Sequence, residues 1–220
     1  MLVSHRKRFI YTKTLKTAGT SVESYFEKYC LPRGQWQFSH AREASVRKEG
    51  IIGYRGRGKK DPAWYNHMPA RQIKEQLGDQ LWEDYFKFCV IRNPFDKLLS
   101  HFYYIIRKEM IDPRLLQADD VASFRNWLKS GGRVIDRDKY LIEGRVCLDY
   151  FIRYENLQEG IREVCTRLQV PFEPDQVPRL KTGMRNDQIP LKDYYDAQSI
   201  SIVKDLYSFE LDYFGYDFPS

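Results

Sequence analysis

The sequence predicts a layered α/β fold with a central, mainly parallel sheet. Two patterns carry this expectation. Short apolar runs of strand length recur along the chain, and each is followed by a stretch whose apolar residues return at helical spacing. Length is the third observation. A chain of 220 residues suits one compact domain with a full core, so a single domain is expected over residues 1–220.

In chain order, residues 8–12 (Arg-Phe-Ile-Tyr-Thr) read as a short strand. A loop containing Lys16 and Gly19 follows. Val22, Tyr25, Phe26 and Tyr29 then fall on one helical face, with Thr20 and Ser21 suited to opening that helix. Residues 33–66 are rich in Gly, Arg, Lys and His, and 53–60 read as a flexible basic loop. A helix is expected from Pro69, with Ala70, Ile73 and Leu77 on one side and Gly78 as its stop. Tyr85 to Ile91 is nearly continuous in apolar residues, as in a strand buried on both faces. Pro94 opens the next helix, whose buried stripe is Phe95, Leu98, Leu99, Phe102 and Ile106. Residues 107–148 read as helical and irregular, with Phe124 and Leu128 in the core and a break at Gly131-Gly132. Residues 149–153 form another strand pattern, and Leu157, Ile161, Val164, Cys165 and Leu168 mark a helix after it. Residues 171–190 are loop-like, and a helix carrying Ile200, Val203 and Tyr207 closes the chain. Ligands of such folds sit beyond the carboxyl ends of the strands. The loops after Thr12, Ile91 and Arg153 should therefore share one rim.

Composition is globular, with 42% hydrophobic, 30% charged and 15% aromatic residues. The formal net charge of +6 favours an anionic ligand, though a solvated surface with surplus Lys explains it equally well. Cys30, Cys89, Cys147 and Cys165 include no Cys-x-x-Cys pair and no His at zinc spacing. Buried reduced thiols and no metal are expected, which suits a reducing compartment. The first residues hold no apolar stretch of signal-peptide length, and no transmembrane run follows. These features predict a cytoplasmic protein without an integral membrane segment.

Two motifs carry chemistry. Lys13-Thr14-Leu15-Lys16-Thr17-Ala18-Gly19-Thr20-Ser21 lies between the first strand and the first helix. Backbone N–H groups at a helix start, together with the helix dipole, form an anion site. Gly19 permits close approach, Thr17, Thr20 and Ser21 supply hydroxyls, and Lys16 can reach a charged or bridging oxygen. The nucleotide-kinase loop differs, because its Lys follows a second Gly; here Lys16 precedes the only Gly, and the buried strand 85–91 runs into Arg92 with no metal-binding Asp at that point. The second motif pairs Arg92 with Ser100, eight residues on. A guanidinium fork plus a hydroxyl suits a phosphate monoester.

Together these motifs resemble the donor site of the sulfotransferases that use 3′-phosphoadenosine 5′-phosphosulfate (PAPS). The segment 16–21 resembles the loop that grips the 5′-phosphosulfate. Val90-Ile91-Arg92-Asn93-Pro94-Phe95, with Ser100, resembles the segment that grips the 3′-phosphate. Residues 151–157 and 213–218 add further likeness, nearest to the heparan-uronyl and chondroitin type carbohydrate sulfotransferases and their bacterial relatives. The resemblance implies a three-layer α/β/α, P-loop-like fold, PAPS as donor with 3′,5′-bisphosphate product (PAP), and no metal. A third cofactor contact is implied from Lys181, Thr182 and Arg185. The implied acceptor is a hydroxyl on a glycan or another small molecule, with no nucleic-acid partner. Sulfuryl transfer needs charge stabilisation at the leaving oxygen, for which Lys16 is placed, and a base. The resemblance puts that base at His67, with a carboxylate within 39–66 as the alternative. Two other functions remain open on sequence: a P-loop-type kinase and a non-enzymatic polyanion binder.

Overall fold

The computed structural model describes residues 1–56, 63–178 and 189–219. The chain divides into two compact units, Met1–Ile91 with Asp136–Leu180 and Arg92–Ile135 with Lys181–Ser220.

The first unit is built on a six-stranded sheet. Its strands are β1 (Leu2–Ser4), β2 (Phe9–Tyr11), β3 (Ser45–Arg47), β4 (Gly50–Ile52), β5 (Phe86–Ile91) and β8 (Tyr150–Arg153), in the order β3-β4-β1-β2-β5-β8. A separate hairpin pairs β6 (Leu141–Ile142) with β7 (Arg145–Val146). The sheet is mixed. β2, β5 and β8 run parallel, with Tyr11 opposite Phe88 and Val90 opposite Ile152. β1, β3 and β4 extend it with antiparallel pairings. That half departs from the mainly parallel expectation. Its strands are three residues long and lie among charged residues, where alternation is too short to register.

One face of the sheet meets α1 (Gly19–Glu27) and α6 (Leu157–Arg167). Phe9, Tyr11, Phe88, Val90 and Ile152 join Val22, Tyr25 and Phe26 of α1 and Ile161, Val164 and Cys165 of α6 in one buried cluster. Phe26 packs edge-on against Phe88, with ring centroids 5.2 Å apart. Each such side chain contributes about 1.5–3 kcal/mol on full burial. The alternating residues Val3, Ile10 and Cys89 are fully buried as well, so the sheet is covered on both faces and β5 reads as apolar apart from the buried Lys87. α2 (Ala70–Leu77) begins after Pro69 and stops at Gly78, whose φ of 82° favours glycine; α3 (Asp79–Asp84), a stretch to which the sequence patterns assign no element, follows at once.

The second unit is helical. α4 (Pro94–Arg107) is capped by the Asn93 side chain, which accepts from Phe95 N. α5 (Asp120–Lys129) and α7 (Ala197–Leu206) are capped by Asp119 and Asp196, and α8 (Ser208–Phe214) ends the unit. Its core is aromatic: Phe102 packs on Phe124 at 5.3 Å and Phe95 on Tyr195 at 5.2 Å. Tyr103 Oη donates to Asp120 Oδ2 at 2.9 Å, tying α4 to α5. Ile105 rather than Ile106 is the buried isoleucine of α4. Among the described residues no helix is long and apolar enough to cross a membrane.

Candidate active site

The parallel pairing of β2, β5 and β8 puts their carboxyl ends on one edge of the sheet. The loop that leaves β2 there is fixed at several points. Thr12 N donates to Phe88 O at 3.1 Å, continuing the ladder. The Thr14 hydroxyl donates to Val90 O and lies 2.8 Å from Thr17 Oγ1. Because Thr14 has spent its proton on Val90, the Thr17 hydroxyl donates to Thr14. Leu15 N donates to Oδ2 of the buried Asp136 at 2.6 Å.

Between these anchors Lys16 and Ala18 adopt left-handed backbone, with φ of 61° and 55°. Such geometry costs a non-glycine residue about 1–2 kcal/mol, and the fixed flanks hold it. The turn delivers the chain into α1 with Ala18 as the N-cap and no side-chain cap. Thr20 and Ser21, read from sequence as the openers, sit in the first turn instead. Ala18 O accepts from Ser21 N at 2.8 Å and Val22 N at 3.3 Å. The N–H groups before them have no intrahelical acceptor by construction. Gly19 is tightly packed: a Cβ there would come within 3.1 Å of Lys13 Cγ and 3.2 Å of the Tyr11 hydroxyl, so those side chains would have to shift. The donor set of first-turn amides, the partly exposed Lys16 and the Thr20 hydroxyl suits an anionic group.

A buried ionic network lies behind the loop. Glu23 of α1, fully buried, takes Lys13 Nζ at 2.7 Å, Arg42 Nη2 at 2.8 Å, Arg55 Nη1 at 2.5 Å and the Met1 amine at 2.7 Å. Arg42 also pairs with Glu27. Lys13 Nζ further donates to Thr20 Oγ1 at 3.1 Å. Burial pushes the Lys13 ammonium down to about 8 against the pull of Glu23, and the cations around Glu23 hold its carboxyl well below the usual range despite its burial. Arg42 and Arg55 also exchange main-chain hydrogen bonds. This corrects the basic-loop reading at 53–56: Arg55 is buried and its charge is used internally. Residues 57–60 of that stretch lie outside the described residues.

His67 meets the same loop. Its Nδ1 lies 2.9 Å from Lys13 O. A carbonyl can only accept, so Nδ1 carries the proton and Nε2 presents a lone pair. His67 has a φ of 57°, and Pro69 holds the N-cap position of α2 with no side-chain cap. Desolvation, aided by the Lys13 charge, lowers the imidazole to about 3, so the ring is neutral at ordinary pH. Of the other histidines, His5 meets the Tyr85 hydroxyl at 2.9 Å, His40 is exposed, and His101 packs on Tyr104 and Trp127. Glu49 in the β3–β4 turn falls at the opposite sheet edge, beside Gly50, which pairs with Ser4.

In the second unit, Arg92 and Ser100 belong to a partly exposed stripe on an otherwise largely buried stretch. Asp96, Ser100 and Tyr104 recur every four residues on one face of α4, and Arg92 sits just before its N-cap Asn93. The Arg92 guanidinium is oriented by Asp96 Oδ2, with Nε and Nη2 each at 2.7 Å. Lys181, Thr182 and Arg185 lie outside the described residues. Cys30, Cys89 and Cys165 are buried thiols. Among the described residues no group of three or more His, Cys, Asp or Glu side chains could hold a metal ion.

Glu23, Arg42 and Asp136 carry no motif in the sequence, and Lys13 and Arg55, which lie in the loop motif and the basic stretch, show no sign there of pairing with Glu23. One signal was available: Glu23 and Glu27 are like charges at i,i+4, an arrangement that repels on a solvated face and implies cations opposite.

This mixed α/β chain, with its tightly held loop between a strand and a helix, belongs to the sulfotransferase family, whose family model matches residues 1–217. It is a sulfuryl transferase by that membership. It is also similar to an uncharacterized protein of Archaeoglobus fulgidus, 31% identical over 113 residues, which cover 49% of this chain and 88% of the relative. No solved structure matches the chain.

Proposed function

We propose that the chain, acting as a single 1–220 domain of the three-layer, P-loop-like type, transfers a sulfuryl group from PAPS to a hydroxyl acceptor on a carbohydrate, without a metal, in the cytoplasm. The observation that carries the reading is the hydrogen bond from His67 to Lys13 O, which places a neutral imidazole at the start of the loop that presents Lys16. When bound, the donor supplies an activated sulfuryl group on a phosphate leaving oxygen. The first-turn amides of α1 and Lys16 neutralise charge at that oxygen. His67 Nε2 takes the proton of the acceptor hydroxyl. Arg92, held by Asp96, and Ser100 take the 3′-phosphate, and Lys181, Thr182 and Arg185 add the third contact.

Retention on immobilised adenosine 3′,5′-bisphosphate in EDTA, with labelled sulfate passed from PAPS to a glycan in an acceptor screen, is the expected outcome. Retention on ATP-agarose that requires Mg²⁺ would favour the kinase. Binding to polyanions with no turnover would favour the non-enzymatic reading. The 3′-phosphate assignment is tested separately by calorimetry. Arg92→Ala is expected to weaken the 3′,5′-bisphosphate by about 1.5–3 kcal/mol, and Ser100→Ala by less, while adenosine 5′-monophosphate changes little. Equal losses for both nucleotides would remove these residues from the 3′-phosphate.

A further inference from the structure

Lys13 sits where the two halves of the loop chemistry meet. Its carbonyl holds His67 Nδ1 at 2.9 Å, and its ammonium reaches Thr20 Oγ1 at 3.1 Å and Glu23 Oε2 at 2.7 Å. Lys13 and Glu23 are both buried, and Arg42 and Arg55 hold Glu23 from its other sides. The carboxylate therefore cannot swing away, and the ammonium is fixed with it.

An ammonium donates and cannot accept. Thr20 Oγ1 must then accept from Lys13, and its own proton must point elsewhere. Thr20 is in the first turn of α1, where the main-chain N–H groups lack helical acceptors. A hydroxyl forced to donate at that helix end joins those amides as one more donor to an anion. Without Lys13 the same hydroxyl is free to turn its lone pairs outward and its proton inward to Glu23. We propose that Lys13, locked by the Glu23–Arg42–Arg55 network, is a positioning residue that sets the Thr20 hydroxyl as a donor to the 5′-phosphate side of the donor nucleotide. The inference rests on the donor reading above.

A double-mutant cycle on adenosine 3′,5′-bisphosphate affinity tests it. Thr20→Val should weaken binding about tenfold or more, the loss of a hydrogen bond to a charged group, and Thr20→Ser should stay within about twofold of wild type. Lys13→Met should weaken binding several-fold in the wild-type background, and less than about twofold in the Thr20→Val background. A merely structural Lys13 would give the same loss in both backgrounds, and that result would overturn the inference. Circular dichroism checks the fold of each variant. If Lys13→Met does not fold, Lys13→Met/Glu23→Gln removes both members of the pair and takes its place in the cycle, with the same expected non-additivity and the same overturning result. Wild-type protein that is folded but does not bind the bisphosphate would refute the donor reading itself, and this inference with it. Binding by wild type, with additive losses in the cycle, would refute the inference alone.

Discussion

Lys16→Ala should lower turnover by about 10²–10³-fold, the usual cost of removing one preorganised charge from a developing anion. The fold should survive, because the variant keeps a Cβ at a position whose φ is already 61°. Alanine tolerates that conformation no worse than lysine does, and the fixed points around it (Thr14 on Val90 O, Leu15 N on Asp136) do not involve the Lys16 side chain. Bisphosphate affinity should fall as well, because the product keeps the 5′-phosphate oxygen that Lys16 neutralises. Lys16→Arg should recover part of the rate by restoring charge with a different reach. Steady-state and single-turnover kinetics with labelled PAPS check both variants. Turnover near wild type for Lys16→Ala would remove Lys16 from the leaving oxygen.

The parallel strands and their loops were legible in the sequence because their signals are local. β5 is a long apolar run ending at Ile91, and α4 opens on an Asn-Pro pair, so both were readable. β1, β3 and β4 were not. Three residues give too little alternation to separate a strand from its charged neighbours, and only their pairing in the sheet defines them. The site divided the same way. Lys16, Gly19 and Arg92 stand in contiguous motifs. The Glu23 network joins Lys13 to Arg42, 29 positions on, and to Arg55, 42 positions on, and such contacts leave no spacing signature. At Gly19 the packing adds a reason the motif does not show: a Cβ there would crowd the Lys13 and Tyr11 side chains beneath the helix start, while the left-handed turn falls on Lys16 and Ala18.

His67→Ala should collapse kcat by about 10²–10⁴-fold, the range for a general base, and leave bisphosphate affinity almost unchanged. The pH profile separates this role from a structural one. In the free protein, burial and the Lys13 charge lower His67 to about 3. An imidazole below its ordinary value of about 6.5 stays neutral, with its lone pair available, down to that lower pH, although as a weaker proton acceptor than an ordinary imidazole. The acid limb of kcat/KM, which reports free enzyme, should therefore lie well below 6.5. A bound donor brings negative charge, which favours the imidazolium and raises its pKa, so the acid limb of kcat should lie above that of kcat/KM. The same shift gives a stability signature. The unfolded histidine protonates near 6.5 and the folded one near 3, so this contribution is complete above about 6.5 and is lost as pH falls from there towards 3. His67→Ala should flatten that window in acid-unfolding curves and abolish the limb in any residual activity. If the variant retains its rate, the base lies elsewhere, and a carboxylate within 39–66 becomes the residue to mutate. If bisphosphate affinity is what it loses, His67 holds the donor by fixing the loop through Lys13 O, and the proton must leave by another group.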